Sequence, residues 1–175
     1  MEESRLIHES TKLEGVLQLR PITDFQDHRG RYLELYNKKA YSDAGIKIKF
    51  IQDDVSISKR HVLRGIHGDY KTWKLVTCLY GSIYLIVVDN RPHSSQYRKW
   101  QCFEISEVNR LQILIPPGFG NGHLVLTDLA VFHYKQSTYY EPDGQFTIYW
   151  NDPKFSFSWP VENPVLSLRD SGFGQ

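Results

Sequence analysis

Residues 63–75 read Leu-Arg-Gly-Ile-His-Gly-Asp-Tyr-Lys-Thr-Trp-Lys-Leu. The stretch begins like a β-strand and carries a cation, a glycine and a histidine within four residues, and Lys74 follows. Apolar, strand-like runs lie on both sides of it. Titratable groups inside a β framework indicate a lined pocket rather than a solvated surface. The stretch predicts that His67 is a general base, with a core histidine held by packing as the ordinary alternative.

Short alternating or apolar runs extend from this stretch in both directions, with Gly, Pro, Asn or Asp between them. Residues 37–45 form the predicted helix, with Asn37 as N-cap and Gly45 as stop. Since no βαβ alternation is visible, the pattern is typical of a β-sandwich or barrel. No linker interrupts it, and one domain over residues 1–175 is expected. Strands are predicted at residues 13–20 (an edge strand stopped by Pro21), 32–36, 50–58, 62–67, 74–79, 82–88, 100–105, 111–115, 122–126, 130–137 and 146–150.

Composition narrows the functional classes. A formal net charge of +1 over 175 residues gives no support for a nucleic-acid surface, which would need a clustered basic face, so no nucleic-acid partner is predicted. Cys78 and Cys102 are too few for a disulfide scaffold and are expected to be reduced and buried. The N-terminus lacks the apolar region of a signal peptide, and the longest apolar run, residues 83–88, is too short to span a bilayer. A cytoplasmic protein without a membrane partner is therefore expected.

Several titratable side chains near the central stretch are candidates for chemistry. Arg64 and His67 lie at odd separation and face opposite sides of a regular strand, unless a bulge at the glycine between them brings both to one cavity. Lys74 on a strand is normally a solvated edge charge, and an inward lysine needs a partner or a function. Tyr134 alone is more often a core aromatic residue, and Asp170 a solvated turn residue.

A metal centre is not predicted. His61, His67, Asp69 and His123 are candidate ligands, but no His-x-His pair with a carboxylate at compact spacing is present. The sequence also lacks a Gly-x-Ser-x-Gly elbow, a Walker A loop and a Gly-x-Gly-x-x-Gly loop. Side chains rather than a glycine-rich loop would therefore hold any nucleotide.

Motifs spread in order between Leu13 and Asp170 resemble the family of dTDP-4-dehydrorhamnose 3,5-epimerase, which acts on nucleotide-diphospho-sugars. Each motif is weak by itself, and their order along the chain makes the resemblance specific. The motifs are Phe25-x-Asp27-x-Arg29-Gly30-x-Tyr32-x-Glu34, Gln52-x-x-x-Ser56-x-Ser58, Leu63-Arg64-Gly65-Ile66-His67, Lys74-Leu75-Val76, Val87-Val88-Asp89-x-Arg91, Ile115-Pro116-x-Gly118-Phe119, Tyr134-Lys135-x-Ser137-x-x-Tyr140, Trp150-Asn151-Asp152-Pro153 and Leu166-Ser167-x-Arg169-Asp170.

The resemblance implies a mostly β, cupin-type jelly roll with one or two short helices, usually a homodimer, and an isomerase that uses no metal or other cofactor. It implies that His67 is the base, Asp170 its orienting carboxylate, Tyr134 the acid across the sugar, and Lys74 the cation that stabilises an enolate. Substrate-binding roles are implied for Arg64, which would meet the diphosphate, for Arg29, Tyr32 and Glu34, which often come from the partner subunit, and for Gln52, Tyr140, Asn121, His123 and Arg169.

Three departures from the family pattern bear on the substrate. Gly120-Asn121-Gly122-His123 replaces the common Ala-His-Gly-Phe, Asp54 replaces an Asn, and Asp69 replaces a Gln. The variants Gly68-Asp69-x-x-Thr72-Trp73-Lys74 and Gly120-Asn121-Gly122-His123 resemble epimerases that act on GDP-4-keto-heptoses for bacterial capsular polysaccharide. We therefore expect inversion of carbon 3, carbon 5 or both in a nucleotide-diphospho-4-keto sugar, with a GDP-4-keto-heptose as the leading substrate.

Four alternatives remain open at this point. Within the same scaffold they are a dTDP-4-dehydrorhamnose 3,5-epimerase and a 3,4-ketoisomerase, which would move the carbonyl instead. Outside it they are a metal-dependent cupin oxygenase or isomerase and a sugar-binding module without catalysis.

Overall fold

The structure is a computed structural model and describes residues 6–21 and 23–172. Its helices are α1 (Lys38–Asp43) and α2 (Leu168–Ser171), with a 3₁₀ turn at Pro142–Gly144. Its strands are β1 (Leu6–Ser10), β2 (Leu17–Pro21), β3 (Asp24–Asp27), β4 (Gly30–Leu33), β5 (Gln52–Lys59), β6 (Leu63–Gly68), β7 (Lys74–Tyr80), β8 (Ser82–Asp89), β9 (Trp100–Ser106), β10 (Gln112–Ile115), β11 (Phe119–Val125), β12 (Leu129–Gln136) and β13 (Phe146–Thr147).

Two antiparallel sheets form the body of the protein. The larger sheet has the order β1-β2-β10-β7-β12-β5, and the smaller has the order β13-β6-β11-β8-β9. Strands β3 and β4 form a separate hairpin. The mostly β prediction is confirmed, and the non-sequential strand order of both sheets is that of the predicted jelly roll.

The main core lies between the two sheets. Alternate residues of β8, Ile83, Leu85 and Val87, are fully buried there and meet Val76 and Ile113 of the facing sheet. Burying each such side chain contributes roughly 1.5–3 kcal/mol. Tyr134 packs against this core from the side of the cavity described below.

Two outer layers cover the sheets. On the larger sheet, α1 buries Tyr41 against a cluster that includes Leu19 and Leu114. The predicted start of this helix is confirmed, because the Asn37 side chain accepts a hydrogen bond from the Ala40 N–H. On the smaller sheet, aromatic residues of the C-terminal segment pack beside Ile66, Ile86 and Val88; they are Phe155, Phe157 and Trp159.

Some local predictions were wrong. The predicted edge strand at residues 13–20 begins only at Leu17, and β2 lies between β1 and β10 rather than at an edge. Strand β1 was missed because only Leu6 of its five residues is buried, so it has no alternating pattern. Strand β13 ends at Thr147 instead of residue 150. Cys78 is buried as expected, but Cys102 is exposed because it faces away from the core on β9.

Within residues 6–21 and 23–172, no helix has the length and the apolar character that a membrane crossing requires.

Candidate active site

A cavity of about 380 Å³ opens between the two sheets. This volume is in the range of small-molecule sites. Both sheets and the C-terminal segment contribute to its wall. The lining residues are Gln52, Asp54, Ser56, Arg64, His67, Lys74, Asn121, His123, Phe132, Tyr134, Gln136, Tyr140, Gln145, Ser167, Arg169 and Asp170.

Strand β5 turns its polar face towards the cavity. Gln52, Asp54 and Ser56 line the cavity, whereas Val55 and Ile57 are 55% and 64% exposed on the opposite face. Because side chains alternate along a strand, a polar inner face forces the apolar residues outward. A cavity for a polar ligand is the physical reason for this inversion of the usual pattern.

A bulge in β6 brings Arg64 and His67 to the same cavity. His67 pairs with Asn121 and Arg64 pairs with His123, so three steps on β6 match two steps on β11. The extra residue reverses the alternation between the two side chains. Gly65 adopts a φ of +112° in this bulge, and a Cβ there would lie 2.7 Å from the Asn121 carbonyl oxygen. Of the two possibilities that the sequence left open, the structure therefore has the one in which a bulge brings both side chains to one cavity.

His67 and Asp170 form a close pair at one side of the cavity. His67 Nε2 lies 2.7 Å from Asp170 Oδ1. Ser167 caps the short helix α2, accepts the Asp170 N–H and donates its hydroxyl to Asp170 Oδ2. Burial raises the pKa of Asp170, but the hydrogen bonds from His67 and Ser167 outweigh this effect and leave the pKa lowered. An ionised Asp170 accepts the proton of Nε2, which leaves the lone pair of the imidazole on Nδ1.

Tyr134 projects from β12 on the facing sheet into the same cavity. Burial raises the pKa of its hydroxyl, and the nearby charge of Asp54 raises it further. The phenol therefore keeps its proton at neutral pH. Asp54 itself accepts hydrogen bonds from the side-chain amides of Gln52 and Gln136, which hold its position.

Lys74 is an inward, buried cation with 8% of its surface exposed. Its Nζ donates to Asn121 Oδ1 at 3.3 Å. Burial lowers its pKa, which the charge of Asp69 partly opposes. The ordinary expectation of a solvated edge lysine is therefore wrong for this residue, and its charge is directed at the cavity.

His123 is also buried, and it stacks on Phe132 with ring centroids 4.1 Å apart. Burial lowers its pKa to about 3, and the charge of Arg64 acts in the same direction. The imidazole is thus neutral at any ordinary pH.

Polar groups from the C-terminal half complete the wall of the cavity. Gln52 Oε1 accepts the backbone N–H of Tyr140 at 2.9 Å. Arg169 Nη2 donates to Thr147 Oγ1 at 3.0 Å, which holds the guanidinium at the cavity wall. Arg64 and Arg169 together supply two cations suited to phosphate oxygens.

Most of the predicted site residues line one cavity, and three do not. Arg29, Tyr32 and Glu34 belong to the β3–β4 region, outside the cavity wall. Tyr32 is 65% exposed, and Arg29 pairs with Asp27 in the hairpin turn. Lining residues that had no predicted role are Asp54, Ser56, Phe132, Gln136, Gln145 and Ser167; the polar alternation of β5 was the available signal for the first two.

The metal-ligand candidates do not converge. Among the described residues, no three His, Cys, Asp or Glu side chains come together in a group suited to a metal ion. Asp69 instead accepts the backbone N–H groups of Lys71 and Thr72, as a turn aspartate does.

Comparison with known proteins gives a consistent result. The family model described as dTDP-4-dehydrorhamnose 3,5-epimerase matches residues 10–174. The dTDP-4-dehydrorhamnose 3,5-epimerase of Escherichia coli (strain K12) is 40% identical over 165 residues, covering 91% of this chain and 89% of that protein.

Solved structures of similar proteins carry nucleotide ligands. A dTDP-6-deoxy-D-glucose-3,5-epimerase from Legionella pneumophila, in complex with dTDP-4-keto-L-rhamnose, superposes with a TM-score of 0.89 at 33% identity, covering 95% of this chain and 90% of that one. A dTDP-4-dehydrorhamnose 3,5-epimerase from Bacillus anthracis, with TDP and PPi bound, also has a TM-score of 0.89 at 33% identity, covering 94% of this chain and 96% of that one.

Proposed function

Since this chain belongs to the dTDP-4-dehydrorhamnose 3,5-epimerase family, we propose that it inverts carbon 3 and carbon 5 of a dTDP-linked 4-keto-6-deoxy sugar. Membership makes it an isomerase of the carbohydrate epimerase class, acting on a nucleotide-linked 4-keto sugar. The observation that carries the residue roles is the His67–Asp170 contact of 2.7 Å in the same cavity as Lys74 and Tyr134.

His67 acts as the base in this proposal. A ketone at carbon 4 acidifies the hydrogens on carbons 3 and 5, so a neutral imidazole can remove one of them. The bond electrons then move into an enolate whose negative charge lies on the oxygen at carbon 4. Asp170 holds the imidazole in the tautomer with its lone pair on Nδ1 and stabilises the imidazolium that forms.

Lys74 and Tyr134 complete the reaction. The buried ammonium of Lys74 stabilises the enolate oxygen, and the low dielectric of the cavity strengthens this effect. The Tyr134 hydroxyl, on the facing sheet, returns a proton to the opposite side of the carbon and inverts it. Its raised pKa supports the role, because the group must carry a proton when the enolate forms. His67 and Tyr134 then recover their starting states by exchange with solvent.

Two arginines serve the diphosphate. Arg64 and Arg169 line the cavity, and guanidinium groups bind phosphate oxygens in bidentate fashion. The hairpin residues Arg29, Tyr32 and Glu34 lie outside the cavity of their own chain. We assign them to the nucleotide site of a partner subunit in a homodimer, with residues 1–175 as one domain of a cytoplasmic enzyme.

The nucleotide is assigned as dTDP. The variants at Asp69, Asn121 and His123 led to the GDP-4-keto-heptose expectation, but the relatives named above carry dTDP or TDP in their names or bound ligands. They favour the alternative, dTDP-4-dehydrorhamnose, and lend no support to a heptose of capsule synthesis. Their epimerase names also favour epimerisation over 3,4-ketoisomerisation.

Incubation in deuterated water tests this function. The purified protein and a dTDP-4-keto-6-deoxyhexose should give a product that carries deuterium at carbons 3 and 5, observed by NMR and mass spectrometry. A product with the carbonyl at carbon 3 indicates a ketoisomerase. Absence of deuterium from both the dTDP-linked and a GDP-linked sugar contradicts the epimerase mechanism.

A further inference from the structure

Two buried polar atoms in the cavity wall have no hydrogen-bond partner within the described residues. They are His123 Nε2 and Ser56 Oγ. His123 is 4% exposed and lines the cavity. Buried polar side chains are almost always paired, because an unpaired one loses its hydrogen bonds to water without replacement. Both atoms therefore need a partner that enters the cavity.

The residues that carry these two atoms belong to one row of neighbouring side chains across the cavity. His123 is opposite Arg64 on the neighbouring strand, and Phe132 is opposite Ser56. The His123 ring stacks on Phe132, which links the two sheets. Asn121, which binds Lys74, is two residues away along β11, a distance of roughly 6–7 Å. The row is thus displaced from Lys74 towards Arg64.

This displacement identifies the part of the sugar that the row contacts, given the proposed function. With the oxygen at carbon 4 at Lys74 and the diphosphate on carbon 1 at Arg64, the ring extends from one to the other, because carbons 1 and 4 are opposite in a pyranose. His123 and Ser56 then face the half of the ring nearer carbon 1. The hydroxyl on carbon 2 lies on this half of the ring. A hydroxyl on carbon 6, where present, reaches the same half by rotating towards the ring oxygen, which is bonded to carbon 1.

We propose that His123 Nε2 and Ser56 Oγ bind one sugar hydroxyl on this half of the ring, and that this pair selects for substrates that carry it. An alcohol donates one hydrogen bond and accepts another, which matches a neutral imidazole beside a serine hydroxyl. An anionic group fits less well, because the imidazole stays neutral. The inference rests on the proposed function for the orientation of the ring.

Three dTDP-4-keto sugars distinguish whether the bound hydroxyl is the one on carbon 2 or the one on carbon 6. They are the 6-deoxy sugar, its 2-deoxy analogue and the analogue with a hydroxyl on carbon 6. We expect His123→Phe, which keeps the aromatic stack, to lower kcat/KM about 10- to 100-fold on sugars that carry the bound hydroxyl and less than about twofold on the sugar that lacks it. Ser56→Ala should show the same selectivity with a smaller factor. His93→Phe, at an exposed histidine, is the matched control and should change none of the three values.

Comparison of kcat/KM among the three sugars shows which hydroxyl is bound. If His123→Phe lowers kcat/KM on the 6-deoxy sugar but not on its 2-deoxy analogue, the bound group is the 2-hydroxyl. A wild-type preference for the 6-hydroxyl sugar that His123→Phe removes assigns the hydroxyl on carbon 6. An equal loss on all three sugars, or no loss on any, overturns the inference and leaves the two atoms to an ordered water.

A stability measurement separates binding from structure. Because Phe removes an unpaired buried polar atom, His123→Phe should raise the melting temperature of the ligand-free protein. A lower melting temperature together with an equal loss on all sugars indicates a structural role. Failure of the proposed function is a different result, in which wild-type protein incorporates no deuterium into any sugar.

Discussion

Two histidine–aspartate pairs lie in different regions of this molecule. In the cavity, His67 Nε2 is 2.7 Å from Asp170 Oδ1; on the outward face of the larger sheet, His133 Nε2 is 3.1 Å from Asp53 Oδ1. The side chain of Asp170 is 4% exposed, whereas that of Asp53 is 54% exposed. Residue types and contact distance are therefore nearly the same, and the surroundings differ.

The surroundings decide what each pair can do. Asp53 also binds Lys135 Nζ at 2.7 Å, so its charge is shared and is screened by solvent. Burial raises the pKa of Asp53, but the bonds from Lys135 and His133 leave it lowered, and this outer pair is an ordinary ion-pair network. Asp170 faces His67 inside a cavity large enough for a sugar. A histidine–aspartate pair indicates a base only where a cavity gives a substrate access to the imidazole.

The largest effect is expected when the histidine of the cavity pair is replaced, and the same replacement in the outer pair is its control. His67→Ala should lower the rate of deuterium incorporation at carbon 3 about 10³- to 10⁴-fold, because it removes the proposed base. His133→Ala, the matched control, should leave it within about twofold, since no substrate reaches that face. Similar losses in both variants would show that the comparison between the two pairs is wrong.

The two lysines provide the next test. Lys74→Met should lower kcat about 10²- to 10³-fold, because it removes the charge that we propose stabilises the enolate. It should also stabilise the ligand-free protein at neutral pH, because the folded-state pKa of Lys74 is lowered and the unfolded chain binds the proton more tightly. The gain should vanish as pH rises above 10.5, where the lysine is neutral in both states. Lys135→Met should lower the free energy of unfolding by at most about 1 kcal/mol and should leave kcat unchanged. Urea unfolding at several pH values measures the stability of the two variants.

Tyr134→Phe separates proton removal from inversion. Without the acid, the epimerised product should form about 10²-fold more slowly. His67 should still remove and return a proton on its own side, so unreacted substrate should acquire deuterium without inversion. Tyr36→Phe is the control, since Tyr36 lies under Lys135 in the outer cluster. If Tyr134→Phe epimerises the substrate at the wild-type rate, Tyr134 is not the acid and another group supplies the proton.

The smallest expected effect concerns acid stability. Both Asp170 and Asp53 have lowered pKa values, so each contributes stability that is present above about pH 4 and is lost as pH falls through the folded-state pKa. Asp170→Asn should lower the free energy of unfolding at pH 7 by about 1–3 kcal/mol, and Asp53→Asn by at most about 0.5 kcal/mol. In both variants, the difference from wild type in the free energy of unfolding should shrink towards pH 3. In 1 M NaCl, only the difference caused by Asp53→Asn should disappear. A salt-sensitive difference for Asp170→Asn would contradict the burial of Asp170.

The sequence by itself determined the local structure. Alternation with period two and the turn residues between the runs predicted most strands, because both signals depend on neighbouring residues alone. Asn37 and Gly45 predicted the ends of α1 in the same way. The ordered motifs predicted the family through resemblance, and with it the set His67, Tyr134, Asp170 and Lys74, all of which line one cavity.

The tertiary structure decided what depends on distant parts of the chain. Asp170 meets His67 across 103 residues, and no local pattern distinguishes this pair from His133 and Asp53. Strand β5 alternates clearly, yet only its place beside the cavity makes the polar face the inner one. Likewise, a single extra residue in β6 decides that Arg64 joins His67. Periodicity specifies which residues share a face, whereas pairing between distant strands specifies what that face meets.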